Sequence, residues 1–234
     1  MGVEAIEGDE QPLINKSIFY LLVDRSGTMK HDIDTVNEIL SNIVEDLSFE
    51  TAVKLSVQLG VVSFADTARL DIAARDIESA MPVPKVRSGG RTNFEAAFKL
   101  LASDIERVQR DNAARNIQSH RTVVFLLTDG RPEPSTQKWQ DALEALLDTS
   151  TTRPHIFAFG LGSMDRTILG EMATDQAWIF PGATREQVRE SLREWANVFV
   201  GTVVGTASSG ELRLEPPQGA EQLPVIPLAA RSAG

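Results

Sequence analysis

Oxygen-bearing side chains stand at alternate positions in Asp24-Arg25-Ser26-Gly27-Thr28, directly after the apolar run from Ile18 to Val23. In open α/β sheets ligands lie past the carboxyl ends of buried strands, so a strand that breaks into such a loop is a candidate site. Two later stretches add oxygen: Thr92, behind Ser88-Gly89-Gly90-Arg91, and Asp129, after a second apolar run that ends at Leu127. Asp24, Ser26, Thr28, Thr92 and Asp129 together are two carboxylates and three hydroxyls with no Cys or His beside them. That is a hard donor set, suited to Mg2+, Mn2+ or Ca2+ rather than to zinc. Neutral hydroxyls leave the ion under-neutralised, with an open position that an incoming anion can fill. The alternate spacing in DRSGT turns three side chains to one side, while Gly27 takes backbone angles that a bulkier residue would resist.

The surrounding pattern supplies elements that bring these residues to one sheet edge. The apolar run ending at Asp24 predicts a buried strand. Ile33, Val36, Leu40, Ile43, Val44 and Leu47 recur every three or four residues and predict a helix, with Asp32 as its N-cap. The segment from Val53 to Phe64 reads as a long strand, turned by Ala65-Asp66-Thr67 into a short antiparallel strand from Ala68 to Ile72. Asp66 reads as a turn residue. Pro and Gly rule out helix from Met81 to Arg91. Phe94 to Val108 is helical again, and a polar stretch from Arg110 to Arg121 leads to the strand Thr122 to Leu127. Trp139 to Leu147, Ile168 to Ala173 and Arg185 to Val203 predict helices, while His155 to Leu161 and Ala177 to Phe180 predict strands. Strands alternating with helices predict an α/β fold: a doubly wound, mostly parallel central sheet with one antiparallel edge strand and helices on both faces. Residues 16–207 form the domain, between an acidic flexible tail at 1–15 and a Pro- and Ala-rich, unstructured tail at 208–234.

With 42 % hydrophobic residues over 234 positions the chain can bury one full core. Its formal charge of −10 argues against nucleic acid as a partner, because phosphate binding needs clustered Lys and Arg. The absence of cysteine removes disulfides, thiolate metal sites and Cys nucleophiles. Neither a signal-like N-terminus nor an apolar run of membrane-spanning length is present, which predicts a soluble, cytoplasmic protein without a membrane partner. His31, near the site, reads as an exposed loop histidine rather than a ligand, and His120 and His155 are too far apart in this topology to form a cluster.

A hydrophobic strand ending in D-x-S-x-S, a later Thr in a Gly-rich loop and a still later strand ending in D-G resemble the metal-ion-dependent adhesion site of von Willebrand factor type A domains. DRSGT, GGRT and LLTDGRP are the matching pieces, and the element order agrees over residues 16–205. The resemblance implies Ser26, Thr28 and Thr92 as direct metal ligands, and Asp24 and Asp129 as ligands directly or through water. A protein partner's Asp or Glu would complete the coordination. Thr28 departs from the Ser usual there, keeping the hydroxyl and adding a methyl. Within the family, YLLVDRSGTM, GGRTNFEAAF, VVFLLTDGRP and REWANVFVGTVVGTASS look most like the small bacterial type associated with tellurium-resistance gene clusters. That likeness implies a non-enzymatic binding module that works beside a kinase or phosphatase of the same cluster. Arg25 and Arg91 flank the site and are candidate partner-binding residues.

A metal-dependent phosphatase or phosphotransferase of the haloacid dehalogenase type is the alternative, since those enzymes also place an Asp loop after the first strand. Their D-x-D-x-T motif needs a second Asp as general acid, and Ser26 stands at that position.

Overall fold

A computed structural model of the protein describes residues 14–79, 81–83, 85–132, 136–148, 153–182 and 184–227. Among the described residues are eight strands: β1 (Ile14–Asp24), β2 (Val57–Phe64), β3 (Ala68–Asp76), β4 (Ile117–Ser119), β5 (Val123–Thr128), β6 (His155–Leu161), β7 (Gln176–Phe180) and β8 (Glu221–Leu223). The helices are α1 (Ile33–Phe49), α2 (Thr51–Ser56), α3 (Phe94–Ala114), α4 (Thr136–Asp148), α5 (Arg166–Met172) and α6 (Arg185–Ser209). A 3-10 turn over Gly27–His31 links β1 to α1.

The sheet order is β3-β2-β1-β5-β6-β7-β8, with β4 pairing the start of β1. The four central pairings, β1 with β2 and β5, β5 with β6 and β6 with β7, are parallel, as expected, and β3 runs antiparallel at one edge. Register aligns Asp24 with Phe64 and Val23 with Leu127, so the ends of β1, β2 and β5 open at one rim. Successive side chains of β1 point to opposite faces. Phe19, Leu21 and Val23 join a core with α1 and α6, which includes Trp195 and Phe199. Ile18, Tyr20 and Leu22 join a second core with α3 and α4, which includes Phe94, Phe98 and Trp139. Both faces of β1 are therefore covered, and this accounts for its unbroken apolar run.

Several boundaries differ from the sequence reading, each for a physical reason. Residues 53–56 belong to α2 rather than to a long strand. Val53 is fully buried and Leu55 is 68 % exposed, so the alternation that suggested a strand marks the two sides of a short helix. β3 continues past Ile72 to Asp76, and α3 continues past Val108 to Ala114. The inward polar residues of α3 are buried in hydrogen bonds: the Tyr20 hydroxyl donates to Asp104 (2.8 Å), and the Asn112 amide bridges Gln58 and Ser119. Asp32 is the N-cap residue of α1, as expected, but its side chain makes no capping hydrogen bond.

The segment from residue 208 onward is not the unstructured tail that its composition suggested, as far as it is described. α6 runs to Ser209 and ends at Gly210, whose φ of 75° favours glycine. The chain then returns to pair β8 antiparallel with β7, burying Leu223. Aperiodic composition concealed this second antiparallel edge, because three residues carry no readable alternation. The expected acidic tail lies almost wholly outside the described residues, and its last two positions open β1.

Candidate metal centre

β1 delivers Asp24 to the rim fully buried, and both carboxylate oxygens are engaged. The Ser26 N–H donates to Oδ1 at 2.7 Å, and the Thr128 hydroxyl donates to Oδ2 at 2.6 Å. Burial pushes the Asp24 carboxyl above its ordinary pKa, opposed by hydrogen bonds from Thr128, Ser26 and Thr92 that favour the charged form. The 3-10 turn that follows is what the DRSGT spacing encodes: it brings the Ser26 and Thr28 hydroxyls to 2.9 Å of each other. Ser26 is buried and Thr28 exposed, so the pair leads from the interior outward.

The other two donors come from distant loops, and backbone bonds lock them in place. Gly27 N–H donates to Gly90 O (2.9 Å) and Gly89 N–H donates to Arg25 O (2.9 Å), which ties the 85–93 loop onto the first loop. Gly90 has a φ of 82°, and a Cβ there would overlap the Asp66 carboxylate, so glycine is required for this approach. Asp66 lies in the bend between β2 and β3, as read from sequence, and its side chain also accepts the Arg91 N–H (2.9 Å) from the 85–93 loop. Asn93 then caps α3 through the Ala96 N–H (3.0 Å), which holds Thr92 buried just before the helix.

From β5, Asp129 accepts the Thr28 hydroxyl at 2.7 Å across a separation of 101 residues. Its carboxyl is pushed up to about 6, first by burial and then by the negative charges of Asp24 and Asp32. Gly130 fits where nothing larger can: a Cβ there would overlap Thr92 Oγ1 and come within 3.0 Å of Asp24 Oδ2. All five expected donors therefore meet at one rim of the sheet. Arg25 and Arg91 are also there. The Arg25 guanidinium donates to Thr67 O (3.2 Å) and Arg87 O (3.4 Å), bracing two neighbouring loops, while Arg91 is exposed.

Two residues at the site were not singled out from sequence. Thr128 is fully buried, accepts the Gly130 N–H (3.1 Å) and orients Asp24. Its signal was a hydroxyl in an otherwise apolar strand, one residue before the acid. Asp32 has a buried Oδ1 without a hydrogen-bond partner, and its charge reaches Asp129. No sequence pattern separated it from an ordinary helix-entry acid.

The donor chemistry fits a divalent cation. Two carboxylates raise each other's charge cost behind a low-dielectric wall, and among the described residues their direct hydrogen bonds come from hydroxyl and amide donors. A cation would relieve that repulsion, and the hydroxyls could turn their lone pairs to it. Among the described residues no cluster of three or more His, Cys, Asp or Glu could hold a metal, so binding here depends on the hydroxyl oxygens. The site is ill suited to nucleophilic catalysis. Asp24 is shielded from solvent with both oxygens hydrogen-bonded, and no acid stands at Ser26, so the phosphatase alternative has no support.

Comparisons with known proteins agree with this fold. The profile of the von Willebrand factor type A domain family matches residues 19–192. No curated protein matches the sequence. Among solved structures, a von Willebrand factor type A protein from Catenulispora acidiphila superposes with a TM-score of 0.58 at 15 % identity, covering 80 % of this chain and 43 % of that one. Proximal thread matrix protein 1 from the mussel byssus, described with a zinc-occupied MIDAS motif, gives 0.58 at 16 % identity, covering 82 % and 48 %. The pilus adhesin SpaC from Lactobacillus rhamnosus GG gives 0.56 at 12 % identity, covering 81 % and 30 %. This chain thus spans less than half the length of each of these relatives, and at such identities the likeness is one of fold.

Proposed function

The chain belongs to the von Willebrand factor type A domain family, and from that premise we propose that it is a non-enzymatic, divalent-cation-dependent protein-binding module. The observation that carries the reading is the convergence of Asp24, Ser26, Thr28, Thr92 and Asp129, drawn from three loops, on one exposed rim. Mg2+, or Mn2+ or Ca2+ in its place, is the ion; a cation held there supplies a Lewis-acidic position for a carboxylate oxygen of a partner's Asp or Glu. Asp24 and Asp129 supply the charge, and the hydroxyls complete the cradle without neutralising it. Thr28 lies on the solvent side, where a partner would approach. Arg25 and Arg91 shape the surface that the partner meets. The zinc-occupied motif of the mussel protein makes zinc a further ion to include in any test.

The finer reading rests on the sequence likeness alone. In it the module is cytoplasmic and belongs to a tellurium-resistance or stress-response system, and its first candidate partner is a kinase or phosphatase encoded beside it.

Affinity capture from the native cell with Mg2+ and with EDTA, using wild type, Asp24→Ala and Thr92→Ala, tests the proposal. Capture of a partner should need both the cation and the intact site, while circular dichroism of the variants stays that of a folded α/β protein. Partner capture that persists in EDTA or in both folded variants would sink the idea.

A further inference from the structure

We infer that the partner segment is acidic beyond the one carboxylate that meets the metal, an inference that rests on the metal-capture reading above. The chain is acidic overall, yet the loops at the metal rim reverse that sign. Residues 24–32, 65–67, 85–93, 129–132, 162–166 and 181–185 hold eight Lys and Arg against five Asp; one of the eight, Arg166, is already paired with Glu221 at 2.6 Å, and Asp34, Glu95 and Glu186 follow in the first turns of α1, α3 and α6. The five Asp are already committed: Asp24 and Asp129 are in the donor set, Asp66 holds the 85–93 loop, Asp165 caps α5, and Asp32 lies behind the site with Oδ1 buried.

The cations stand on three sides of the site. On the β2 side, Arg87 is exposed, and its carbonyl accepts from Arg25, which places the two together. On the α1 and α6 side, Lys30 is exposed, and Arg185 at the start of α6 lies 3.2 Å from the His31 ring beside it. On the β6 side, Arg131 is exposed two residues past Asp129, and it lines an open cavity of about 370 Å³ with Gly162, Ser163 and Pro181.

A bound divalent cation adds to this positive edge, whereas the body of the protein repels anions. Such a field steers an acidic segment onto the metal and holds its flanking carboxylates against the rim. Rim charges of this kind act chiefly on association rate and are sensitive to salt. The Arg131 cavity gives the chain on one flank of the metal-bound residue a place to run.

Two fluorescein-labelled peptides of equal length test this by anisotropy: one with a single Asp among Gly and Ser, the other with that Asp flanked by two Glu on each side. In Mg2+ the acidic peptide should bind wild type about tenfold more tightly, as two favourable rim charges allow. The ratio should collapse toward one in Lys30→Gln/Arg131→Gln and in about 0.5 M NaCl, while Mg2+ affinity of the variant, measured by calorimetry without peptide, stays within about threefold of wild type, since neither residue is a metal ligand. Equal binding of the two peptides, including no binding of either, overturns the inference, as does a preference untouched by the double substitution. A preference that persists in full in EDTA also overturns it, by assigning the rim to polyanions in general. Single-Asp binding that is the same in Mg2+ and EDTA fails the metal-capture reading instead, and is read separately.

Discussion

Thr128→Val isolates the contribution of a residue that touches the metal site only through another. Valine keeps the volume and the strand preference of threonine, so no cavity opens in β5, and what is lost is one hydroxyl. That hydroxyl donates to Asp24 Oδ2 at 2.6 Å and accepts the Gly130 N–H at 3.1 Å, both fully buried. A buried hydrogen bond to a charged group contributes about 1.5–3 kcal/mol, and the orphaned N–H adds to the loss. A destabilisation of about 2 kcal/mol lowers the melting temperature by roughly 4–8 °C in a domain of this size. The measurement is thermal unfolding in EDTA, where no ion compensates. With Asp24 left one donor short, its carboxyl moves still further above the ordinary value, and a proton competes better with the cation. Outer partners of metal-binding carboxylates are generally worth about 10–100-fold in affinity, so Mg2+ or Mn2+ titration calorimetry at neutral pH should show a loss in that range. A melting temperature within 1 °C of wild type (a bound of about half a kcal/mol), together with unchanged metal affinity, would refute the claim that Thr128 positions Asp24.

Two further perturbations follow from the same geometry. Gly130→Ala puts a methyl against Thr92 Oγ1 and Asp24 Oδ2; saturating Mg2+ at about 100 times the dissociation constant should raise the wild-type stability by about 2.7 kcal/mol, and this gain should vanish in the variant while its far-UV spectrum is retained, whereas an equal thermal shift in both proteins would contradict the crowded cradle. At the opposite pole, burial alone would raise the Asp76 carboxyl, but the Lys16 ammonium at 2.8 Å and the Gln58 amide at 3.1 Å bring it below its usual range. Because the folded value is depressed, this pair stabilises fully above the unfolded carboxylate value of about 4 and is lost as pH falls through the folded value. Lys16→Met should therefore lower stability at pH 7 and flatten the acid limb in urea unfolding; an acid limb identical to wild type would remove this assignment.

The site's donor types, and even its three-loop origin, were legible because they reside in local pattern. An apolar run that stops at Asp24, hydroxyls two residues apart and glycines before Thr92 and after Asp129 each carry their own signal along the chain. The parallel sheet was legible for the same reason, since strands buried on both faces lack the alternation of half-exposed ones. Failures fell where local pattern is ambiguous or too short. Val53 and Leu55 alternate as a strand would, yet occupy opposite sides of the short helix α2. In β8, three residues in a Pro-rich context carried no period at all.

What the sequence by itself determined is therefore which atoms are available and the order in which the chain offers them. Only the tertiary structure decided their distances and the burial that pushes the Asp24 and Asp129 carboxyls above their ordinary values. The Thr28 hydroxyl reaches Asp129 because β1 and β5 pair in register with Val23 opposite Leu127. Thr128 emerged as the residue that orients Asp24 for the same reason, because the side chain that meets a carboxylate 104 residues away is set by strand register rather than by any neighbour in sequence. The positive rim likewise exists only once the fold gathers loops from six separate places, since electrostatic potential depends on separation in space, and along the chain these same cations are diluted among more numerous acids.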